Sequence, residues 1–393
     1  MLRKIITSLL LATSITTHAQ QSSFARGADI SWCTEMEADG MKFYSKTGRV
    51  TDIFALMSQI GLNAIRLRVW VNPENEYGAW CDKADVVAKA KRAHAEGLDV
   101  MIDFHYSDNF ADPGKQVKPA AWEGLSFLGL KKALANHTKD VLQALKDEGI
   151  EPRWVQVGNE TTSGMVYDEG RIDWDKDESE RWTGYVELSN AGYYAVKEVL
   201  PDAYVIVHHD KAENDNVWFY SQFRQYGGKF DMIGLSHYPD WDEWSETNTQ
   251  AATNLAKLYD TFQVPVMIVE TGYSNWDESR AESVMKDLFD KMEAEPGCAG
   301  ILYWEPEVYG GWSHGNPGAY GKVVTSYGAF TAYGRPSKAL LAFAEQSTDI
   351  PTLLPEDGES TFSYNLQGQK VNGSAHGIII RRKDGKTTKI FRR

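Results

Sequence analysis

Eight short β-type runs recur along this chain, each opening apolar and closing on polar groups. They are "GADISW" from Gly27, "NAIRLRVW" from Asn63, "LDVMIDFHY" from Leu98, "RWVQVGNE" from Arg153, "AYVIVHHD" from Ala203, "FDMIGLSHYP" from Phe230, "VPVMIVETGY" from Val264 and "GILYWEP" from Gly300. Amphipathic helical stretches lie between most of them, such as "VTDIFALMSQIG", "ADVVAKAKRAHAEG" and "LKKALANHTKDVLQALKDEG". Gly61, Gly97 and Gly149 stand where helices should end, just before the next run. Alternation of strand and helix argues a parallel sheet, and eight units close into an α/β fold of the (β/α)8 TIM-barrel type. The expected barrel spans residues 20–346.

The polar ends of these runs are Arg68 and Trp70, His105 and Tyr106, Asn159 and Glu160, His209 and Asp210, His237 and Tyr238, Glu270, then Trp304 and Glu305. A barrel of this kind carries its active site at the C-terminal ends of its strands. Polar tips on seven of eight runs therefore predict an active rim.

Two segments fall outside the rhythm. "MLRKIITSLLLATSITTHAQ" has a basic start, an apolar run and small residues, which predicts a secretory signal over residues 1–19. No Cys follows that run, so a lipid anchor is not expected, and no later run has the ~20 apolar residues of a membrane span. After Gln346, a Pro-containing linker leads into short strand-like runs with turn signals at Asn372-Gly373 and Asp384-Gly385. Residues 347–393 are thin in apolar groups and predict a small β-type tail, similar to the strand-turn tails of secreted Bacteroidetes proteins.

The formal charge is −14, but residues 361–393 hold eight Lys/Arg against Asp384 alone, and Arg3 and Lys4 add to that. The remainder, residues 20–360, carries −23. Such a body repels nucleic acid and polyanions, so a neutral substrate is expected. Three cysteines, Cys33, Cys81 and Cys298, allow at most one internal disulfide, and no Cys or His pair has metal-ligand spacing. No metal and no cofactor are expected, and the chain is expected to act as a monomer.

Glu160 ends the fourth run and Glu270 the seventh. Two carboxylates on facing strands are what a retaining glycosidase uses, one as nucleophile and one as acid/base, with carboxyl groups ~5 Å apart. Like charges that close push one pKa up, so that group keeps a proton for the leaving oxygen. A single such Glu is more often a salt-bridged surface group; the pair at these two strand ends is what points to catalysis.

The Asn159-Glu160 pair resembles the large clan of (β/α)8 glycosidases. The ordered set "RLRVWVNP", "DFHYSDNFADPGKQVKPAAW", "GNETTSGMVYDEG", "ETGY" and "YWEP" is similar to glycoside hydrolase family 53, the arabinogalactan endo-β-1,4-galactanases, over roughly residues 26–345. The resemblance implies Glu160 as acid/base, Glu270 as nucleophile and Asn159 on the sugar 2-hydroxyl. It implies Arg68 steering the nucleophile, although Arg66 shares its parity on the strand and a buried ion-pair role for Arg66 is equally open. His105 would touch the sugar at the cleaved position, Tyr238 would touch Glu270, and Trp304 would form the floor beneath that sugar. The implied substrate is β-1,4-galactan or arabinogalactan.

His237 departs from the family pattern and is left without a role. "TGYSNWDESRAES" replaces a calcium motif found in some bacterial members, so no calcium site is expected there, and the groove should be more open. Trp70, Trp80, Trp122, Trp241, Trp244, Trp276 and Trp312 fall in or near post-strand loops and could stack on sugar faces, with Trp312 the favoured subsite. Two rivals remain open: a mannanase or cellulase of the same clan, and a carbohydrate-binding barrel without turnover.

Overall fold

The first strand of the computed structural model, β1 (Ala25–Asp29), pairs in parallel with both β2 (Ala64–Val69) and β8 (Cys298–Trp304). Between them β3 (Asp99–Phe104), β4 (Trp154–Val157), β5 (Tyr204–His209), β6 (Met232–His237) and β7 (Val266–Thr271) follow in sequence order, so the eight strands close a barrel. The structure describes residues 24–73, 78–314 and 327–345, and in the C-terminal part residues 362–364, 377–383 and 386–392. The signal expected at residues 1–19 lies outside them.

A helix follows each strand, from Ile53–Gln59 after β1 to Lys338–Glu345 after β8. Four of them start on a side-chain cap: Asp52, Asp82, Ser126 and Asp277 accept backbone N–H groups of the first turn. Two apolar clusters result. A large one fills the layer between strands and helices, and a small one, including Met101, Trp154, Ile206, Met232, Met267 and Leu302, plugs the barrel interior. That plug is the floor on which the site is built.

The chain divides into two compact units between Ser347 and Thr348. In the second, strands Phe362–Tyr364, Gly377–Lys383 and Lys386–Arg392 form an antiparallel sheet with the middle strand central. The turns expected at Asn372-Gly373 and Asp384-Gly385 both lie outside the described residues. Among the described residues, no helix is long and apolar enough to cross a membrane. Cys33, Cys81 and Cys298 are free thiols.

Candidate active site

Side chains alternate along a strand, so the residues two positions beyond the plug also face the barrel axis. Above Ala64, Met101, Trp154 and Ile206 stand Arg66, Asp103, Gln156 and His208, all buried. Buried charge is tolerated only when paired, and here Arg66 does the pairing. Its Nη1 lies 2.8 Å from Asp29, and its Nη2 lies 2.8 Å from Asp103 and 2.7 Å from Glu270. Burial works against the guanidinium charge, but Asp103, Glu270 and Asp29 outweigh it and raise the pKa further. Asp103 is penalised by burial too, yet Arg66 and His105 hold its carboxyl below the usual range.

The tip of β4 turns sharply. Gly158 takes φ +88° and Glu160 takes a left-handed φ of +45°. A Cβ on Gly158 would meet Thr161 Cγ2 at 2.6 Å, so only glycine fits that turn. Gln116 Nε2 donates to the Asn159 carbonyl (2.8 Å), and the Glu160 N–H donates to His208 Nδ1 (3.2 Å), which locks the tip. The Asn159 side chain accepts from Arg66 Nη2 (2.8 Å) and donates to the Ala111 carbonyl (2.8 Å). A core strand can deliver an Asn-Glu pair because the chain has already left strand geometry at Gly158.

On β7 the inward turn has another cause. Val269 belongs to the interior plug, so strict alternation would send Glu270 outward. Register shifts against β6 and β8 occur at this level, and Glu270 reaches the cavity. The Ser236 hydroxyl lies 2.6 Å from Glu160 Oε1 and 3.4 Å from Glu270 Oε2, so the two carboxyl oxygens are at most about 6 Å apart. Tyr238 Oη donates to Glu270 Oε2 at 3.2 Å.

The two carboxyls differ in their company. Glu160 is pushed up to about 8, first by burial and then by the charge of Glu270, with Ser236 opposing. Burial raises Glu270 as well, but Arg66 in direct contact opposes it. The proton of the pair therefore belongs on Glu160 and the charge on Glu270.

A cavity of about 430 Å³ opens over this pair, lined also by Asn159, His105, Tyr238, Trp304 and Tyr327. The profile of glycosyl hydrolase family 53 matches residues 25–286. The chain is a family 53 glycosyl hydrolase. An arabinogalactan endo-beta-1,4-galactanase of Cellvibrio japonicus is 33% identical, over 78% of this hydrolase and 87% of that protein. An endo-beta-1,4-galactanase of Bacillus subtilis is 30% identical, over 84% and 87%. The family 53 catalytic domain of Ignisphaera aggregans superposes with a TM-score of 0.71 at 29% identity, covering 81% of this chain and 95% of that one.

In this hydrolase seven of the eight residues singled out from the sequence line the cavity: Arg68, His105, Asn159, Glu160, Tyr238, Glu270 and Trp304. Two expectations need correction. Arg68 does not touch Glu270; its Nη1 pairs with Glu305 at 2.7 Å, and its guanidinium packs over Trp32 at 4.1 Å. Arg66, two residues earlier on the same face of β2, is the arginine on Glu270. Trp312 is no exposed platform: it is 8% exposed, packs against Trp32, and its indole N–H donates to Asp39 at 2.7 Å.

The other tryptophans divide. Trp70 and Trp122 are buried, whereas Trp241 is 42% exposed and Trp276 85%. His237 faces away from the cavity and bonds Asn248 (2.9 Å) on the helix behind β6. His105 accepts the Ala111 N–H at Nδ1 (2.9 Å), which places its hydrogen at Nε2, 2.9 Å from Asp103. Asp29, Asp103, Gln156, His208 and Ser236, which the strand-end pattern does not single out, also bond into this cluster. Counting two back from His105 would have reached Asp103 and two back from Tyr238 would have reached Ser236, since both pairs share a parity.

Proposed function

We propose that the chain is a retaining endo-β-1,4-galactanase that cleaves the galactan side chains of pectin outside the cytoplasm. One observation carries the mechanism: the two carboxyls share the Ser236 hydroxyl within about 6 Å, and of the two it is Glu270 that Arg66 pairs with. Retaining enzymes hold their carboxyls ~5–5.5 Å apart, whereas inverting ones leave ~6.5–9.5 Å for a water. Support for the substrate comes from the galactanases of Cellvibrio japonicus and Bacillus subtilis and from the match to family 53.

On this reading Glu270 attacks the anomeric carbon while Glu160 gives its proton to the departing glycosidic oxygen. Tyr238 and Arg66 hold the attacking carboxylate in place. Water then enters, Glu160 takes a proton from it, and the glycosyl-Glu270 ester is hydrolysed with net retention. Asn159 Nδ2 spends one hydrogen on the Ala111 carbonyl and offers the other to the sugar 2-hydroxyl. His105, both of whose nitrogens are engaged, meets the sugar with a ring edge, and Trp304, edge-on to Tyr238, forms the floor.

The axial 4-oxygen of galactan makes its chain curl where cellulose runs flat. Misplacement by about an ångström costs ~10²-fold, so cellulose and mannan should turn over poorly. The test is initial reducing-end release from galactan, glucomannan and carboxymethylcellulose, with NMR of the first-formed anomer. Fast release from galactan as the β-anomer is expected. Comparable release from either other polymer would overturn the substrate assignment, and an α-anomer would overturn retention.

A further inference from the structure

The mechanism above assigns no part to His208, a histidine buried completely between β4 and β6. Its Nδ1 receives the Glu160 backbone N–H at 3.2 Å and faces Gln156 Nε2 at 2.9 Å. That amide is oriented as a donor, because it also donates to the Asp103 carboxylate at 2.5 Å. Asn159 Oδ1 also lies 3.1 Å from Nδ1, but that oxygen already accepts from Arg66 and Gln156. Because the Glu160 N–H points at Nδ1, the ring hydrogen sits on Nε2, which lies 2.9 Å from Ser236 Oγ. Burial and Arg66 hold the pKa of His208 well below its usual value, so the ring stays neutral and keeps this tautomer.

Ser236 therefore accepts from His208, and its own hydrogen is left to donate. Its partners are Glu160 Oε1 at 2.6 Å and Glu270 Oε2 at 3.4 Å, and the shorter contact takes it. The chain of donors starts at the Glu160 backbone and ends at the Glu160 carboxyl.

We infer that Ser236, oriented by His208, is a positioning residue that holds Glu160 Oε1 as an acceptor, so that Oε2 alone carries and recovers the catalytic proton. This rests on the acid/base role proposed for Glu160. In the first half-reaction Oε2–H passes to the glycosidic oxygen, and the Oε1 contact meets the new carboxylate charge as it forms. In the second half Oε2 takes a proton from water. The other charged or titratable groups facing Glu160 are Glu270 on β7, Arg66 on β2, Tyr238 beyond β6 and Asp210 beyond β5. None of these donates a hydrogen bond to Oε1 among the described contacts.

The test compares pH profiles of kcat/KM on galactan for Ser236→Ala, Ser236→Thr, His208→Asn and His208→Gln. Loss of a hydrogen bond to a carboxylate weakens its acidity ~10-fold, so the alkaline limb of Ser236→Ala should move up about one pH unit with KM little changed. Asn at 208 keeps an acceptor for the Glu160 N–H but cannot reach Ser236, and should shift the limb likewise. Gln can reach Ser236, and Thr keeps the hydroxyl; both should retain the wild-type limb. A Ser236→Ala profile superimposable on wild type would overturn the inference, and an unshifted His208→Asn would overturn the part given to His208. Carboxyl carbon NMR titration of Glu160 in substrate-free wild type and Ser236→Ala reads the same shift without turnover. Inactivity of the wild type on galactan would count against the substrate assignment alone, since that titration would still decide this point.

Discussion

Arg66 Nη2 stands 2.7 Å from Glu270 Oε1, and the same guanidinium serves Asp103 and Asp29 at 2.8 Å each. One buried cation thus answers for three buried carboxylates. Arg66→Lys keeps a charge but loses the fork, so it cannot span all three. Because Arg66 lowers the pKa of Glu270, the acid limb of kcat/KM should move to higher pH, and kcat should fall ~10²-fold or more. An unchanged acid limb in this variant would show that Glu270 does not depend on Arg66. Arg68→Lys, whose partner is Glu305, should leave that limb in place.

Glu160→Ala and Glu270→Ala should both fold and each lose several powers of ten in turnover, because these are the two cavity carboxyls that meet at Ser236 and are proposed to protonate the leaving oxygen and form the glycosyl intermediate. Azide should partly restore Glu270→Ala and give a product of inverted configuration. Rescue with retained configuration would mean that Glu270 is not the nucleophile.

The pH dependence follows from Glu160, which is raised by burial to about 8 and must be protonated to act as an acid. Activity should fall as pH rises through that value. Stability should follow the same direction: a carboxyl whose folded pKa exceeds its unfolded one contributes stability that is complete below the unfolded value and lost as pH climbs through the folded one. Glu305, pushed up to about 7 by burial, adds to the effect. Calorimetry from about pH 6 to about pH 9 should show a falling Tm, less steep in Glu160→Gln. A Tm that rises over this range would contradict the assignment.

The tail, residues 348–393, forms a compact unit of its own, and the sequence places the catalytic rim entirely before it. Truncation after Gln346 should leave the rate on soluble galactan largely intact. Loss of barrel folding, read by circular dichroism, would show that the tail is needed for the domain.

The alternation of strand and helix determined the barrel, because hydrophobic period and strand-end polarity are local properties of the chain. The same local signals led to Glu160, Glu270 and Asn159, since a carboxylate at a buried strand tip conflicts with burial unless it has work there. Tertiary structure decided what parity cannot. Arg66 and Arg68 face the same side, and the folded barrel gives one to Glu270 and the other to Glu305. Glu270 itself faces the axis beside Val269 through register shifts that leave no mark in the composition of β7. Trp312 looks exposed from its Gly and Ser neighbours, yet Trp32 and Asp39, far away in sequence, bury it. His208 and Ser236 lie on adjacent strands and reach Glu160 on a third, a relationship set by the register between strands, which no single run encodes.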